Sequence, residues 1–237
     1  ATVIIARLYG EPLDAVVYAR LRFDDIHSAE IPEHEHFINN IAIPKLKSWG
    51  IDTIIIDSPK TFTECFTRVR SRGQNEGKIV GFPIPGRCDI ARDCKLPALK
   101  KSQKLFEGED IVWYLGIAKD EPNRLDRLKE NQVSLLAKYG LSEIDAEALC
   151  MVFGLYSPVY AISDRGGCFF CPNAKDKELY ILRRDHPDLW RKLMYLDRIP
   201  NRATRRDGRS LFNRKETFHE LNDRLKRMKP YYERKRY

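Results

Sequence analysis

The alternation of short β-branched segments with helical segments restricts the fold of this chain more than any other feature. Residues 14–19 and 51–56 have the apolar, β-branched composition of buried strands, and residues 110–117 form a third apolar segment of strand length. Apolar residues with helical spacing lie between them, at residues 32–49 and 96–106. Strands that alternate with helices predict an α/β fold with a mainly parallel sheet.

Further helices are predicted from apolar spacing and from the residues that begin or end helices. Gly10 ends the first of them, and Ser142 with Asp145 begins another in a pattern close to a capping box. Pro187 falls inside a region that predicts one or two helices. These helices are predicted at residues 1–9, 61–69, 142–153, 179–199 and 216–228.

Size and composition are typical of a folded protein without a membrane span. The chain has 237 residues, and its 43% of hydrophobic residues suffices for a sizeable core and excludes wholesale disorder. No stretch approaches the roughly 18 consecutive apolar residues of a membrane helix. Six cysteines without an export signal favour a reducing, cytoplasmic location over a disulfide scaffold, and with it a metal or redox role.

The positive charge is concentrated near the carboxyl end. Residues 198–237, which we name the basic tail, hold 14 Lys and Arg against five Asp and Glu, a net charge of +9, while the whole chain carries +8. The sequence therefore predicts an α/β domain at residues 1–197 and a basic helical extension at residues 198–237. Such an extension fits contact with DNA or RNA. The alternative is a solvated basic helix that ends a domain.

Four cysteines have the spacing of metal ligands. Cys168 and Cys171 form a Cys-x-x-Cys pair that follows two glycines, and Cys88 and Cys94 form a second pair far upstream. Two such pairs can close a site of four thiolates around zinc or an iron–sulfur cluster. The alternative is a redox dithiol at Cys168 and Cys171. Cys65 and Cys150 lie among apolar neighbours in predicted helices and are interpreted as core residues.

Cationic side chains near these cysteines are candidates for holding an anionic substrate. Arg87, Lys95 and Arg165 flank the two cysteine pairs, and Arg124 follows the third predicted strand. Arginine binds phosphate or sulfate through two parallel hydrogen bonds, whereas lysine acts as a compact point charge. We therefore predict these four residues to bind substrate.

Two acidic residues, Asp120 and Glu121, follow the third predicted strand directly. Open α/β sheets bind ligands at the carboxyl ends of their strands, so both are candidate catalytic residues. The alternative is a helix start, with acids in the first turn and Pro122 at an early position. The two interpretations are compatible.

An ordered set of motifs resembles the phosphoadenosine phosphosulfate (PAPS) reductase-like family. The resemblance covers about residues 1–190 and is strongest to the bacterial and phage branch of this family, within the adenine nucleotide α-hydrolase (PP-loop) superfamily. The motifs are Gly81-Phe-Pro, Arg87-Cys88 with Cys94-Lys95, residues 114–124, residues 154–158 and residues 165–172.

This resemblance implies a Rossmann-like adenine nucleotide α-hydrolase fold that binds an adenine nucleotide, either PAPS or ATP. The nucleotide loop of the family, Ser-Gly-Gly-x-Asp-Ser, is expected just upstream of Ala1, with the first strand. The helix at residues 1–9 would then face the nucleotide phosphates. Four cysteines in this arrangement hold a [4Fe–4S] cluster in some relatives, which favours that cofactor over zinc.

The chain also departs from the reductases of this family. They carry a late Glu-Cys-Gly-x-His segment whose cysteine attacks the sulfate, and no cysteine follows Cys171 here. The first prediction is therefore a PAPS reductase-like enzyme, an oxidoreductase or sulfurtransferase, acting on an adenine sulfonucleotide or nucleotide. One alternative is an ATP-dependent sulfurtransferase that modifies DNA or RNA, as in phosphorothioation. Another is a non-catalytic, zinc-stabilised module that binds nucleic acid. The oligomeric state is left open.

Overall fold

A computed structural model describes residues 1–86, 88–163, 166–205 and 207–228 of the chain. It is a mixed protein of helices and short parallel sheets, compatible with the α/β class. The strands are β1 (Ala15–Arg20), β2 (Asp52–Asp57), β3 (Trp113–Tyr114) and β4 (Gln132–Val133). The helices are α1 (Thr2–Tyr9), α2 (Pro32–Phe37), α3 (Ile43–Ser48), α4 (Phe62–Thr67), α5 (Leu96–Lys104), α6 (Pro122–Leu125), α7 (Leu135–Lys138), α8 (Glu143–Val152), α9 (Val159–Ile162), α10 (Asp176–Asp185), α11 (Pro187–Arg198) and α12 (Phe218–Arg227).

The strands of the described residues form two separate pairs, β1 with β2 and β3 with β4. Trp113 lies opposite Gln132 and Tyr114 opposite Val133 in a parallel register. The prediction of a strand over residues 110–117 was therefore too long. A strand extends only as far as its ladder of hydrogen bonds, and β4, which the sequence pattern did not predict, supplies partners for two residues.

Local sequence signals account for most helix ends. Thr61, Ser142 and Thr217 each accept a hydrogen bond from the backbone three residues later, in reciprocal capping boxes that begin α4, α8 and α12. Gly10 ends α1 in the left-handed conformation, with φ of 66°. The predicted helix over residues 32–49 is confirmed as α2, a π-helical turn at Ile38–Ala42 and α3 in succession.

Contacts divide the chain into two units. The first has a core around Ile5, Ala6, Leu135 and Leu136. The second has a larger core rich in aromatic rings, in which Phe62 stacks on Phe170 with ring centroids 3.9 Å apart. The first unit comprises Ala1–Tyr18, His36–Ile55 and Lys101–Ser157, and the second comprises Ala19–Glu35, Ile56–Lys100 and the described part of residues 158–237.

The described part of the basic tail belongs to the core of the second unit. Phe218, Leu221 and Leu225 on α12 are fully buried, as is Phe212 before it. The ring of Trp190 on α11 lies 4.4 Å from the ring of Phe218, and its indole N–H donates to Asn222. The boundary at residue 197 stays a prediction, but the helix beyond it is amphipathic and packed rather than wholly solvated.

One buried carboxylate ties this segment to α11. Asp197, with 2% of its side chain exposed, accepts a hydrogen bond from Arg202 at 2.7 Å and one from the backbone N–H of His219 at 3.0 Å. The His219 ring nitrogen Nδ1 also lies 2.5 Å from Asp197. Through these hydrogen bonds Asp197 joins the chain after α11 to the start of α12.

Several cations of the basic tail are paired within the protein. Arg224 binds Asp176 at 2.6 Å and Glu216 at 2.7 Å. The Arg224 guanidinium holds the pKa of both carboxyl groups below their usual range. The net charge of the tail therefore overstates the positive charge available to a partner.

None of the helices within the described ranges is both long enough and apolar enough to span a membrane.

The Asp197 contacts predict a sharp loss of stability when its carboxylate is removed. In Asp197→Ala the Arg202 guanidinium, 11% exposed, is left buried without its partner, so the free energy of unfolding should fall by about 3–5 kcal/mol. Urea unfolding followed by circular dichroism measures this change. Asp223→Ala is the matched control, because Asp223 and its partner Lys226 are largely exposed and should contribute little. Equal stability of the two variants would contradict the role of Asp197.

Candidate functional site

The Cys-x-x-Cys segment folds as a tight turn in the second unit. The backbone N–H of Cys171 donates to the carbonyl of Cys168 at 3.0 Å, and that of Ala174 donates to the carbonyl of Cys171 at 3.1 Å. Phe169 and Phe170 between the cysteines are 5% and 2% exposed and belong to the aromatic core. Their burial fixes the turn and holds both sulfurs at the edge of the aromatic core.

Cys94 lies in a π-helical turn, Ala91–Lys95, directly before α5. Its sulfur is 3.5 Å from the sulfur of Cys65 on α4, and both thiols are buried. A hydrogen bond from the Cys65 thiol lowers the pKa of Cys94, and the same contact raises the pKa of Cys65. The prediction that Cys65 is a core residue is confirmed by its burial, but its contact with a candidate ligand was missed. No sequence spacing links these two positions.

Cys168 is electrostatically coupled to the other candidate ligands. Burial raises its pKa, and the nearby charges of Glu30, Cys171 and Cys88 raise it further, whereas Lys95 opposes them. Cys94 is in turn influenced by Cys168. The structure therefore brings the four predicted cysteine ligands and Lys95 into one region of the second unit, which we name the cysteine site.

The cysteine site does not form a closed coordination sphere. Among the residues that the structure describes, no three His, Cys, Asp or Glu side chains are arranged to hold one metal ion. Cys88 is exposed to solvent, while Cys94 is buried against Cys65. The arrangement does not fit a [4Fe–4S] cluster or zinc as it stands, because four-thiolate coordination requires all four sulfurs around one centre.

Glu30 is a member of the cysteine site that the sequence pattern did not indicate. Its Oε2 atom is buried and has no hydrogen-bond partner within the described residues. Burial raises the pKa of this carboxyl group, and the nearby ammonium of Lys95 lowers it. An acid in a loop with no motif around it gives no sequence signal, so only the fold could place Glu30 beside Cys168.

Two of the four predicted substrate-binding residues, Lys95 and Arg124, lie in the described part of the chain. Lys95 is exposed at the end of the π-helical turn, close enough to influence both Glu30 and Cys168. Arg87 and Arg165 lie outside the described residues. Arg124 lies in the first unit and binds Glu121 at 2.6 Å. Only Lys95 is thus seen beside the cysteines.

The two candidate catalytic acids also lie in the first unit, and both make structural contacts. Glu121 accepts from the backbone N–H of Ala118 at 3.2 Å, and its pKa is lowered chiefly by the hydrogen bond from Arg124. Asp120 accepts from the backbone N–H of Glu143, at the first turn of α8, at 3.1 Å. Helix α6 begins after Glu121 with Pro122 in its first turn, but Glu121 makes no capping hydrogen bond to it and neither acid lies in that turn. A catalytic role for either acid stays a prediction.

A small cavity adjoins the Cys-x-x-Cys turn. Its volume is about 50 Å³, and its wall includes Cys168, Cys171, Val159 and Leu179. Nucleotide-sized ligands occupy pockets of several hundred cubic ångströms, so this cavity cannot hold one.

Comparison with known proteins gives limited information on function. No family model matches the chain, and no solved structure matches it. A curated relative, an uncharacterised protein of the archaeon Methanocaldococcus jannaschii, is 28% identical over 180 residues. The match covers 62% of this chain and 36% of that protein, so the chain spans about a third of the relative's length. The name of this relative states no activity, and the family stays a prediction.

Proposed function

We propose that this chain is part of a PAPS reductase-like enzyme that acts on an adenine nucleotide or sulfonucleotide, in a Rossmann-like adenine nucleotide α-hydrolase fold. The observation that supports this proposal most is the cysteine site, where Cys88, Cys94, Cys168 and Cys171 come from two distant segments and the Lys95 ammonium lies close to Cys168. The ordered motifs and the mixed fold with short parallel sheets agree with it.

In this proposal the cations bind and orient the anionic group of the substrate. The Lys95 ammonium would contact a phosphate or sulfate close to Cys168, and Arg87 and Arg165 would add bidentate hydrogen bonds. Cys168, whose pKa burial raises, stays a neutral thiol unless a metal deprotonates it. Cys94, whose pKa is lowered, is the more readily ionised of the two.

The proposed cofactor is a [4Fe–4S] cluster, with zinc as the alternative. Because no three of these side chains converge in the described arrangement, at least two of the four cysteines would have to change position when the cofactor binds.

Metal analysis tests the cofactor. We expect the protein purified under anaerobic conditions to contain about four iron atoms and to absorb near roughly 400 nm, as clusters held by four thiolates do. Cys171→Ser should lose the iron, whereas Cys150→Ser, in the first unit, should retain it. Stoichiometric zinc without iron in the wild type would contradict the cluster, and together with absent turnover it would favour a zinc-stabilised binding module.

Nucleotide binding tests the activity class. Lys95→Met should weaken binding of PAPS or ATP by about tenfold, because one charge-assisted hydrogen bond is lost. Lys100→Met is the matched control, since Lys100 is an exposed lysine of the neighbouring helix α5. Isothermal titration calorimetry on the full gene product measures both affinities. If the wild type binds neither PAPS nor ATP, the proposal is contradicted.

A second candidate function is sulfur transfer to DNA or RNA. A pocket of about 610 Å³ joins Pro172 and Asn173, just after Cys171, to Arg214 and Lys215 of the basic tail. Asp176 and Glu216 also line this pocket, but both are paired with Arg224. A phosphate backbone could therefore approach the cysteine turn on the side of Arg214 and Lys215.

Salt dependence of nucleic-acid binding tests this candidate. Each phosphate contact contributes a slope of about −0.9 to the plot of log affinity against log salt for duplex DNA. The double variant Arg214→Gln and Lys215→Gln should therefore reduce the slope by about two units relative to wild type. Arg191→Gln, on exposed α11 surface, serves as the control. Binding that does not respond to salt would count against nucleic acid as substrate.

A further inference from the structure

A further pocket of the second unit is lined by arginines. It contains none of the cysteines and has no part in the proposed nucleotide chemistry. It encloses about 400 Å³, a volume typical of small-ligand pockets. We name it the arginine pocket. Its lining residues include Arg68, Arg70, Arg72 and Arg92.

A hydrogen-bonded backbone holds the arginine pocket in shape. Arg70 donates its backbone N–H to the carbonyl of Lys78 at 2.9 Å, and Val80 donates to the carbonyl of Arg68 at 2.8 Å, which makes a short antiparallel hairpin. Ile79, on the second arm, pairs on its other side with Arg202. This second arm is thus bonded on both sides, and it holds in place the first arm, which carries Arg68 and Arg70.

Two of the arginines are oriented by carboxylates. Asp93 lies 3.0 Å from Arg68 and 2.6 Å from Arg92, and Asp89 lies 2.8 Å from Arg92. The Arg92–Asp93 pair is bidentate, which fixes the plane of the Arg92 guanidinium group and still leaves other N–H groups to donate. Four arginines against two aspartates leave the pocket with an excess positive charge of about two.

The Arg70 side chain lacks one hydrogen-bond partner. Its Nε atom is buried and has no hydrogen-bond partner among the described residues. A buried N–H without an acceptor is costly, because it loses its bonds to water and gains nothing in return. An oxyanion in the arginine pocket would provide the missing acceptor.

We propose that the arginine pocket binds the phosphoryl or sulfo group of a small ester. Several guanidinium groups around one concave space match a tetrahedral oxyanion. The apolar side chains of Val69, Val80 and Ile84 also line the pocket and suit the organic part of the ester. An extended polyanion fits less well, because the Asp89 carboxylate on the same wall repels a continuous phosphate backbone.

The inference does not rest on the proposed function. It uses none of the cysteines, Lys95 or the first unit, and its test needs no turnover. A negative result for one proposal therefore does not contradict the other.

Calorimetric titration with inorganic phosphate, sulfate and phenyl phosphate tests the pocket. Wild type should bind phosphate and sulfate, and phenyl phosphate should bind more tightly because its ring covers the apolar wall. Arg70→Gln should weaken phosphate binding by about tenfold or more. Arg72→Gln, at an exposed residue of the same pocket, should also weaken phosphate binding. Because Arg72 is exposed, this variant tests the pocket even if the Arg70 variant does not fold.

Arg191→Gln removes an exposed arginine outside the pocket and should leave phosphate affinity unchanged. Equal weakening in this control would overturn the inference, since the effect would then be one of overall charge. Absence of phosphate and sulfate binding to wild type at tens of millimolar would also overturn it. So would binding of an oligonucleotide, but not of phenyl phosphate, that the two pocket variants abolish.

Discussion

The buried carboxylate of Asp197 connects most of the second unit. It accepts hydrogen bonds from Arg202 and from the backbone N–H of His219, and so it anchors both the extended segment after α11 and the start of α12. The extended segment pairs with Ile79 and thereby supports the hairpin that carries the arginine pocket. Helix α12 in turn places Phe218 against Phe82 and Trp190 in the aromatic core. A buried carboxylate is costly unless its hydrogen-bond donors are present. Arg202 and His219 must therefore both be in place around Asp197 in the folded unit.

The cysteine site and the arginine pocket meet at the π-helical turn Ala91–Lys95. Cys94 points from this turn to Cys65, while Arg92 and Asp93 of the same turn belong to the arginine pocket and its ion pairs. The wider π turn changes the angular spacing of successive side chains, and such turns are frequent at functional sites. The two sites therefore share five consecutive residues of backbone.

Local signals predicted much of the secondary structure. The capping box at Ser142, the glycine after α1 and the spacing of apolar residues in α11 all act within a few residues, so they can be read directly from the chain. The prediction was wrong in length for residues 110–117, because strand extent depends on a distant partner at Gln132–Val133. The short helices α7 and α9 were missed, since four residues carry no usable periodicity.

The sequence by itself determined that helices alternate with short strands, that two cysteine pairs share ligand spacing, and that positive charge gathers near the carboxyl end. Tertiary structure alone decided that Cys65 touches Cys94, that Glu30 lies beside Cys168, and that some cations of the basic tail pair with carboxylates outside it, as Arg224 does with Asp176. The physical reason is the separation along the chain over which each interaction acts. Helix caps and periodicity act between near neighbours in the chain, whereas the pKa of a buried thiol and the pairing of an arginine depend on residues that only folding brings together.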